Sequence, residues 1–257
     1  MLDSCAPAVK SDDSLAFQIN RHIDADDIAY QLDTLGRAQI PLFLNADSAK
    51  TIYESLAQHT QWSLVFNLAG QHRETDARSL DAWSEADRNK LFALIHNAAV
   101  SKFQYCYETL PIYDIYHRKL MRGHLIHSMY ELINSDDFIG LMRQVSRDDQ
   151  ISFADAQATR YRPGHFLTRH TDAVDGKCRR IAYVLNLSPI WSADWGGILQ
   201  FFDASGNVTG GFSPAFNTLN LFRVPSEHAV SIVAPFAAAN RISITGWLRS
   251  GPDPMAV

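Results

Sequence analysis

The chain has 257 residues, of which 46% are hydrophobic, 11% aromatic and 20% charged, a composition typical of a globular protein with one large core or two small ones. Its 28 acidic and 23 basic residues give a formal charge of -5, so the overall field does not attract phosphate backbones or anionic membranes, and nucleic acid is not expected as a direct ligand. Cys5, Cys106 and Cys178 are widely separated and predict neither a disulfide framework nor a thiolate metal site.

Two segments bear on where the protein resides. Residues Met1–Pro7 contain an acidic residue and no basic residue, and they include no apolar h-region, so they do not match a secretory signal peptide. The apolar stretch Ala229–Ala239 is interrupted by Pro235 and is too short to cross a bilayer. We therefore expect a cytoplasmic protein with no export signal and no membrane anchor.

Residues 1–150 are predicted to be mainly helical. Asp24 or Asp26 can cap a helix through Leu35, which Gly36 would end. The segment Gln39–Phe43 then predicts a short strand, followed by a helix that begins near residue 47 and a second strand over residues 61–68.

Two further helices have clear starting signals. Ser84 opens a capping box with Asp87, and apolar residues follow at helical spacing at Leu91, Leu94, Ile95, Ala98, Ala99 and Phe103. Ser135 precedes two acids and begins a helix to about residue 146, whose apolar face comprises Phe138, Leu141, Met142 and Val145.

The pattern changes at Ile151 to short runs of β-branched and aromatic residues. Turn-forming pairs punctuate these runs, at Pro163-Gly164, Asp175-Gly176, Gly196-Gly197, Ser205-Gly206-Asn207 and Gly210-Gly211. Many short strands predict a sandwich or barrel. We expect an α+β fold with one domain over residues 1–257, in which residues 1–150 form a helical layer on one sheet of a catalytic β-core over residues 151–250.

Three side chains form a candidate metal site. His170 and Asp172 are two residues apart, so an extended strand would point both to one face, and His228 follows 56 residues after Asp172. Two imidazoles and one carboxylate are the ligands of non-haem iron(II) oxygenases, and they leave coordination positions open for a cosubstrate and dioxygen.

An H-x-D tripeptide alone is more often a surface or hydrogen-bonded pair than a metal site. The other histidines have no comparable set of motif residues around them, and we interpret them as surface, core or supporting residues. They are His22, His59, His72, His96, His117, His124, His127 and His165. The residues around His170 and Asp172 distinguish this pair from the rest.

These surrounding residues form an ordered series: Tyr161-x-x-Gly164-x-Phe166-x-x-x-His170-x-Asp172, Arg180-x-x-Tyr183-x-Leu185-Asn186, Gly196-Gly197-x-Leu199-x-Phe201, His228 and Arg241-x-Ser243. The series resembles the prolyl-4-hydroxylase-like branch of the 2-oxoglutarate and Fe(II)-dependent oxygenases. The resemblance covers about residues 150–250 and implies a double-stranded β-helix, the jelly roll related to cupins.

The resemblance also implies roles for individual residues. His170, Asp172 and His228 would bind Fe(II), and Arg241 would form a two-pronged salt bridge with the C5 carboxylate of 2-oxoglutarate. Ser243 and Tyr161 would add hydroxyl hydrogen bonds to that carboxylate. Tyr183 would line the cosubstrate pocket. The alternatives are an ordinary salt bridge for Arg241 and a core position with a satisfied hydroxyl for Tyr183.

Five other residues have open roles. Arg169, Arg179 and Arg180 are either substrate contacts at the mouth of the site or solvated surface arginines, and at least one is expected to be the latter. Trp191 and Trp195 are either a substrate wall or packing residues against the N-terminal helices.

The implied activity is hydroxylation of an unactivated C–H bond, with O2 consumed and 2-oxoglutarate converted to succinate and CO2. The segments Cys178–Trp191 and Arg241–Trp247 resemble most the prolyl hydroxylases of a ribosomal decoding-centre protein. We therefore expect a prolyl residue of a protein or peptide, such as a ribosomal protein, as substrate; the oligomeric state stays open. The alternatives are a hydroxylase of a free amino acid or secondary metabolite, and a non-catalytic module that binds metal and 2-oxoglutarate. The eukaryotic enzymes carry a second β-helix domain after the first, so their substrate recognition is not carried over whole.

Overall fold

The computed structural model describes residues 17–256. The expectations for Met1–Pro7 and Cys5 lie outside these residues. Six α-helices occur in the described part of the chain: α1 (Ala25–Leu35), α2 (Ala46–Gln58), α3 (Glu85–Ala99), α4 (Ile112–His117), α5 (Ile126–Ile133) and α6 (Asp136–Ser146). None of the helices within residues 17–256 has the length and apolar character needed to cross a membrane.

Thirteen strands accompany these helices in the same residues. They are β1 (Arg37–Ile40), β2 (Ser63–Leu68), β3 (Gln71–Asp76), β4 (Tyr105–Leu110), β5 (Ile151–Ala154), β6 (Gln157–Tyr161), β7 (Phe166–His170), β8 (Arg179–Asn186), β9 (Leu199–Phe202), β10 (Val208–Phe212), β11 (Thr218–Arg223), β12 (His228–Val230) and β13 (Arg241–Ser250).

The strands form one antiparallel sheet, in which ten follow the order β1-β11-β8-β13-β6-β4-β7-β12-β9-β10 and β5 pairs with β13. The sheet curls into a nearly closed barrel, consistent with the predicted jelly roll. One edge of β4 pairs with both β6 and β7, so β4 lies across the junction between the two halves of the barrel. The other edge of β4 pairs with β2, which pairs with β3.

Side-chain alternation along the strands divides the buried residues into two groups. Tyr183 and Leu185 of β8 and Ile244 of β13 face outward and pack with helix residues such as Leu32 and Phe138. Ala182 and Val184 of β8 face inward, where they pack with Phe201, Phe222 and Val230. The helical layer therefore covers the outer face of one half of the barrel, and the inner face is left for a site.

The predicted helix ends are confirmed where capping residues define them. The Asp24 side chain accepts a hydrogen bond from the Asp27 N–H, and Gly36 ends α1 in the left-handed conformation with φ 67°. Ser84 and Ser135 cap α3 and α6 in the same way as Asp24 caps α1.

The prediction for the first 150 residues needs correction in its strands. Those residues contribute β3 and β4, which the sequence did not indicate, and β1 covers Arg37–Ile40 instead of Gln39–Phe43. Helix α3 ends at Ala99 and buries only Ile95 fully, whereas Leu94 is 57% exposed. The N-terminal region is therefore part of the barrel as well as its helical cover.

Candidate metal centre and active site

Two neighbouring strands bring the predicted metal ligands together. His170 ends β7 and His228 begins β12, and the two residues are directly paired across these antiparallel strands. Their ring centroids are 4.2 Å apart. Asp172, just beyond β7, places one carboxylate oxygen 3.5 Å from Nε2 of His170 and the other 3.5 Å from Nε2 of His228.

Backbone carbonyls set the orientation of both imidazoles. Nδ1 of His170 lies 2.9 Å from the Thr168 carbonyl oxygen, and Nδ1 of His228 lies 2.9 Å from the Ser226 carbonyl oxygen. A carbonyl only accepts, so each Nδ1 carries the proton and each Nε2 presents a lone pair. Both lone pairs point to the same place as the Asp172 carboxylate.

The charge state of Asp172 suits a cation. Asp172 is 7% exposed, and burial, the largest influence, would raise its pKa. When the imidazoles of His170 and His228 are protonated, the hydrogen bond from His170 and the charge of His228 outweigh burial, so the pKa of Asp172 then lies below its usual value. One ligand atom from each of His170, Asp172 and His228 lies within 4.8 Å of the others. The donor set therefore fits a divalent metal with open coordination positions, as Fe(II) requires.

The triad opens into a cavity of about 320 Å³ inside the barrel. Strand β13 supplies one wall with alternate residues Arg241, Ser243, Thr245 and Trp247. Strand β4 supplies the facing aromatic residues Tyr105 and Tyr107, preceded by Phe103. The cavity thus joins the metal site to an apolar, largely aromatic wall.

Arg241 is a buried cation in this cavity. It is 2% exposed, and its Nε has no hydrogen-bond partner among residues 17–256. Its neighbours are Asn186, whose Oδ1 lies 3.5 Å from Nη2, and the Tyr161 ring, whose centroid lies 5.1 Å from the guanidinium carbon. Burial lowers the pKa of Arg241, and the Tyr161 hydroxyl opposes this shift. A buried guanidinium with free donors fits a carboxylate, as on 2-oxoglutarate.

The two predicted hydroxyl donors lie beside Arg241. Ser243 and Tyr161 both line the cavity, and the Ser243 hydroxyl already shares a 2.8 Å hydrogen bond with Thr159. Tyr161 stacks on Tyr107 with a centroid distance of 5.1 Å. The sequence did not single out Thr159, and it indicated Asn186 only as a motif residue without a role; each lies opposite Ser243 on a neighbouring strand.

Tyr183 lies on the opposite face of the sheet, away from the cavity. Its hydroxyl donates to the Asp155 carbonyl at 2.8 Å, and its ring packs against Phe138 of α6. This placement matches the core alternative for Tyr183. The inward neighbours Ala182 and Val184 line the cavity instead.

The structure gives different positions to the three arginines whose roles were left open. Arg179 lines the cavity, donates to the Asp172 carbonyl at 3.0 Å and stacks on Trp247 at 3.4 Å. Arg169 forms an ion pair with Glu227 at 2.7 Å, and Arg180 forms one with Asp148 at 2.6 Å. Arg179 alone among these three faces the metal cavity.

The two tryptophans pack on each other, with centroids 5.4 Å apart. Trp191 donates its indole N–H to the Gly196 carbonyl and packs against the inner core residues. Neither tryptophan lines the metal cavity. A Cβ at Gly197 would lie 3.1 Å from both Trp191 and the Arg241 side chain, so this loop supports Arg241 closely.

Comparisons with known proteins find relatives of both the fold and the site. Residues 156–249 match the model of the 2OG-Fe(II) oxygenase superfamily. Prolyl 3-hydroxylase OGFOD1 of Mus musculus is 33% identical over 119 residues, which are 44% of this chain and 21% of that protein. The chain thus spans about a fifth of the length of this relative.

Two solved structures share the fold. A Pseudomonas putida prolyl-4-hydroxylase is 19% identical with a TM-score of 0.55, over 91% of this chain and 98% of that chain. A Trichoplax adhaerens prolyl hydroxylase, solved with a peptide fragment of hypoxia inducible factor, is 19% identical with a TM-score of 0.58, over 88% and 89%. Over residues 156–249 the chain is therefore similar to 2OG-Fe(II) oxygenases, and its relatives include prolyl hydroxylases; Fe(II) and 2-oxoglutarate are the cofactors that this similarity implies.

Proposed function

We propose that this enzyme hydroxylates a prolyl residue within a protein or peptide. The observation that carries the reaction class is the buried, unpaired Arg241 beside the metal triad, because a guanidinium there matches the far carboxylate of 2-oxoglutarate. The aromatic wall formed by Phe103, Tyr105 and Tyr107 supports a prolyl substrate, since proline rings pack well on aromatic faces. The similarity to OGFOD1 points the same way.

Each part of the cavity has a defined task in this proposal. His170, Asp172 and His228 would hold Fe(II), and Arg241 with Ser243 and Tyr161 would hold the C5 carboxylate of 2-oxoglutarate. When bound, these cofactors and O2 supply the oxidising power, with 2-oxoglutarate converted to succinate and CO2. The protein places the target C–H bond next to the metal and excludes water with its apolar walls.

The test is a mass measurement with product analysis. Peptides from the ribosomal decoding-centre protein, incubated with enzyme, Fe(II), 2-oxoglutarate and O2, are expected to gain one oxygen on proline with matching succinate formation. His170→Ala is expected to abolish both. The peptide proposal fails if peptide masses stay unchanged while an amino acid or other small molecule is oxidised, and the enzymatic proposal fails if metal binds but no candidate substrate turns over.

A further inference from the structure

A second cavity, of about 460 Å³, adjoins the metal cavity. The two cavities share Tyr107 and Gln157 as lining residues, so these side chains form the boundary between them. Burial raises the pKa of Tyr107 to about 12, and a side-chain hydrogen bond with Gln157 opposes the shift. The second cavity is therefore separated from the metal cavity by one pair of side chains.

Both cavities lie on the same face of one sheet. Val65 of β2 is paired with Tyr107 of β4 on one side and with Glu74 of β3 on the other. Residues directly paired across antiparallel strands point to the same face, so Glu74, Val65 and Tyr107 form one continuous floor. A substrate that crosses Tyr107 would pass from the metal cavity onto β2 and β3.

The lining of the second cavity combines an apolar wall with one unpaired charge. Its apolar members are Val65, Pro111, Ile115 and Leu120. Arg118 is paired with Asp114 at 3.4 Å, and Nδ1 of His72 is 2.7 Å from the Tyr105 hydroxyl. Glu74 is exposed and has no ion-pair partner among residues 17–256. The net charge of the cavity is therefore negative.

We propose that this second cavity binds a lysine or arginine side chain of the polypeptide substrate, close in sequence to the oxidised residue. The long aliphatic part of such a side chain would cover the apolar wall, and its cationic end would meet Glu74. From β6 to β3 there are three strand spacings of about 4.8 Å each, which an extended peptide covers in about four residues. This inference rests on the proposed function.

The charge of the whole chain supports a basic substrate. The formal charge of -5 favours the approach of a cationic polypeptide over an anionic one. The contact with Glu74 would then fix the position of the substrate peptide, so that the basic residue enters the second cavity while the target residue lies at the metal site.

The experiment compares matched peptides with wild-type and variant enzyme. The probes are fluorescein-labelled proline-centred peptides in which a single lysine is moved from one to five positions on either side of the proline, each matched with norleucine. Affinity is measured by anisotropy without O2, with Fe(II) and 2-oxoglutarate bound, and turnover is measured separately as peptide oxidation and succinate formation. Glu74→Gln removes the charge, Glu74→Lys reverses it, and Glu131→Gln is the control, because Glu131 is exposed on α5 and lines neither cavity.

We expect wild-type enzyme to bind one lysine register about two- to fivefold more tightly than its norleucine match, as suits an exposed ion pair. The preference for lysine should shrink at high ionic strength, disappear in Glu74→Gln and persist in Glu131→Gln. In Glu74→Lys, peptides with glutamate in place of that lysine should bind more tightly than the norleucine peptides. An equal lysine preference in Glu74→Gln would overturn the inference, with peptide turnover still supporting the proposed function. If no peptide is oxidised by any variant, the proposed function fails and the inference fails with it.

Discussion

Replacing Arg241 with methionine should maintain or raise the stability of the protein without 2-oxoglutarate, and it should reduce the extra stability that 2-oxoglutarate provides. Arg241 is 2% exposed and its Nε has no partner among residues 17–256, so the protein without ligand bears the cost of desolvating an uncompensated charge. Methionine has similar length and no charge. The variant without 2-oxoglutarate should therefore be at least as stable as wild type.

The same substitution should remove stabilisation by 2-oxoglutarate. At about 100 times its dissociation constant, a ligand stabilises the folded state by about 2.7 kcal/mol, which is about 5–10 °C in Tm for a chain of this length. Loss of a buried charged hydrogen-bond partner costs about 3 kcal/mol, or about 150-fold in affinity. At the same ligand concentration the shift in the Arg241→Met variant should then be about 1 °C or less.

The assay is thermal unfolding with Mn(II), with and without 2-oxoglutarate. Arg223→Met is a matched control, because Arg223 pairs with Asp33 at the surface and does not line the cavity. The control should lose some stability and keep the full ligand shift. A ligand shift in Arg241→Met equal to that of wild type would refute the role of Arg241 as the carboxylate anchor.

Three further predictions concern metal binding, pH and packing. Asp172→Asn should lower Mn(II) affinity by more than the roughly 10–100-fold that follows loss of an outer-sphere partner, as titration calorimetry can measure, because it removes the only charged ligand of the triad; near-normal affinity would contradict this ligand assignment. Burial, with a contribution from Arg162, lowers the pKa of His165 to about 3, so the unfolded chain takes up a proton below about pH 6.5 that the folded chain excludes, and the free energy of unfolding should fall as pH decreases through this window by up to about 1.4 kcal/mol per unit. Urea unfolding of His165→Gln should lack that part of the slope, and an unchanged slope would argue against the assignment. Gly246→Ala should destabilise the fold by about 3 kcal/mol in urea unfolding, because its Cβ would collide with the Asp155 carbonyl; a cost near zero would mean that the segment between β5 and β6, which contains Asp155, shifts freely.

The metal ligands were predictable because their signals are local. His170 and Asp172 share a strand face by spacing alone, and the ordered series of motif residues located His228 and Arg241. The side on which Tyr183 lies depends on which face of β8 the helices cover. That choice is made by tertiary packing, so it could not be predicted from residue spacing.

Strand β4 was missed because its stabilising partners are distant in sequence. Glu108 is 2% exposed within β4, and a buried carboxylate is unusual in a predicted strand. Arg160 and Arg162 form ion pairs with it from β6 and the turn that follows. The sequence reveals neither pairing, and so the aromatic wall of Tyr105 and Tyr107 was missed with the strand.

The pairing of the earliest strand with one of the last has a consequence for biosynthesis. Ile40 of β1 pairs with Leu219 of β11, so at about 5–20 residues per second the ribosome needs roughly ten seconds or more to supply the partner of β1. Until then β1 lacks its partner strand. Such long-range pairing predicts slow folding, in which the barrel closes only after β11 to β13 have been synthesised. Expression at lower temperature or with added chaperones should therefore raise the yield of folded protein.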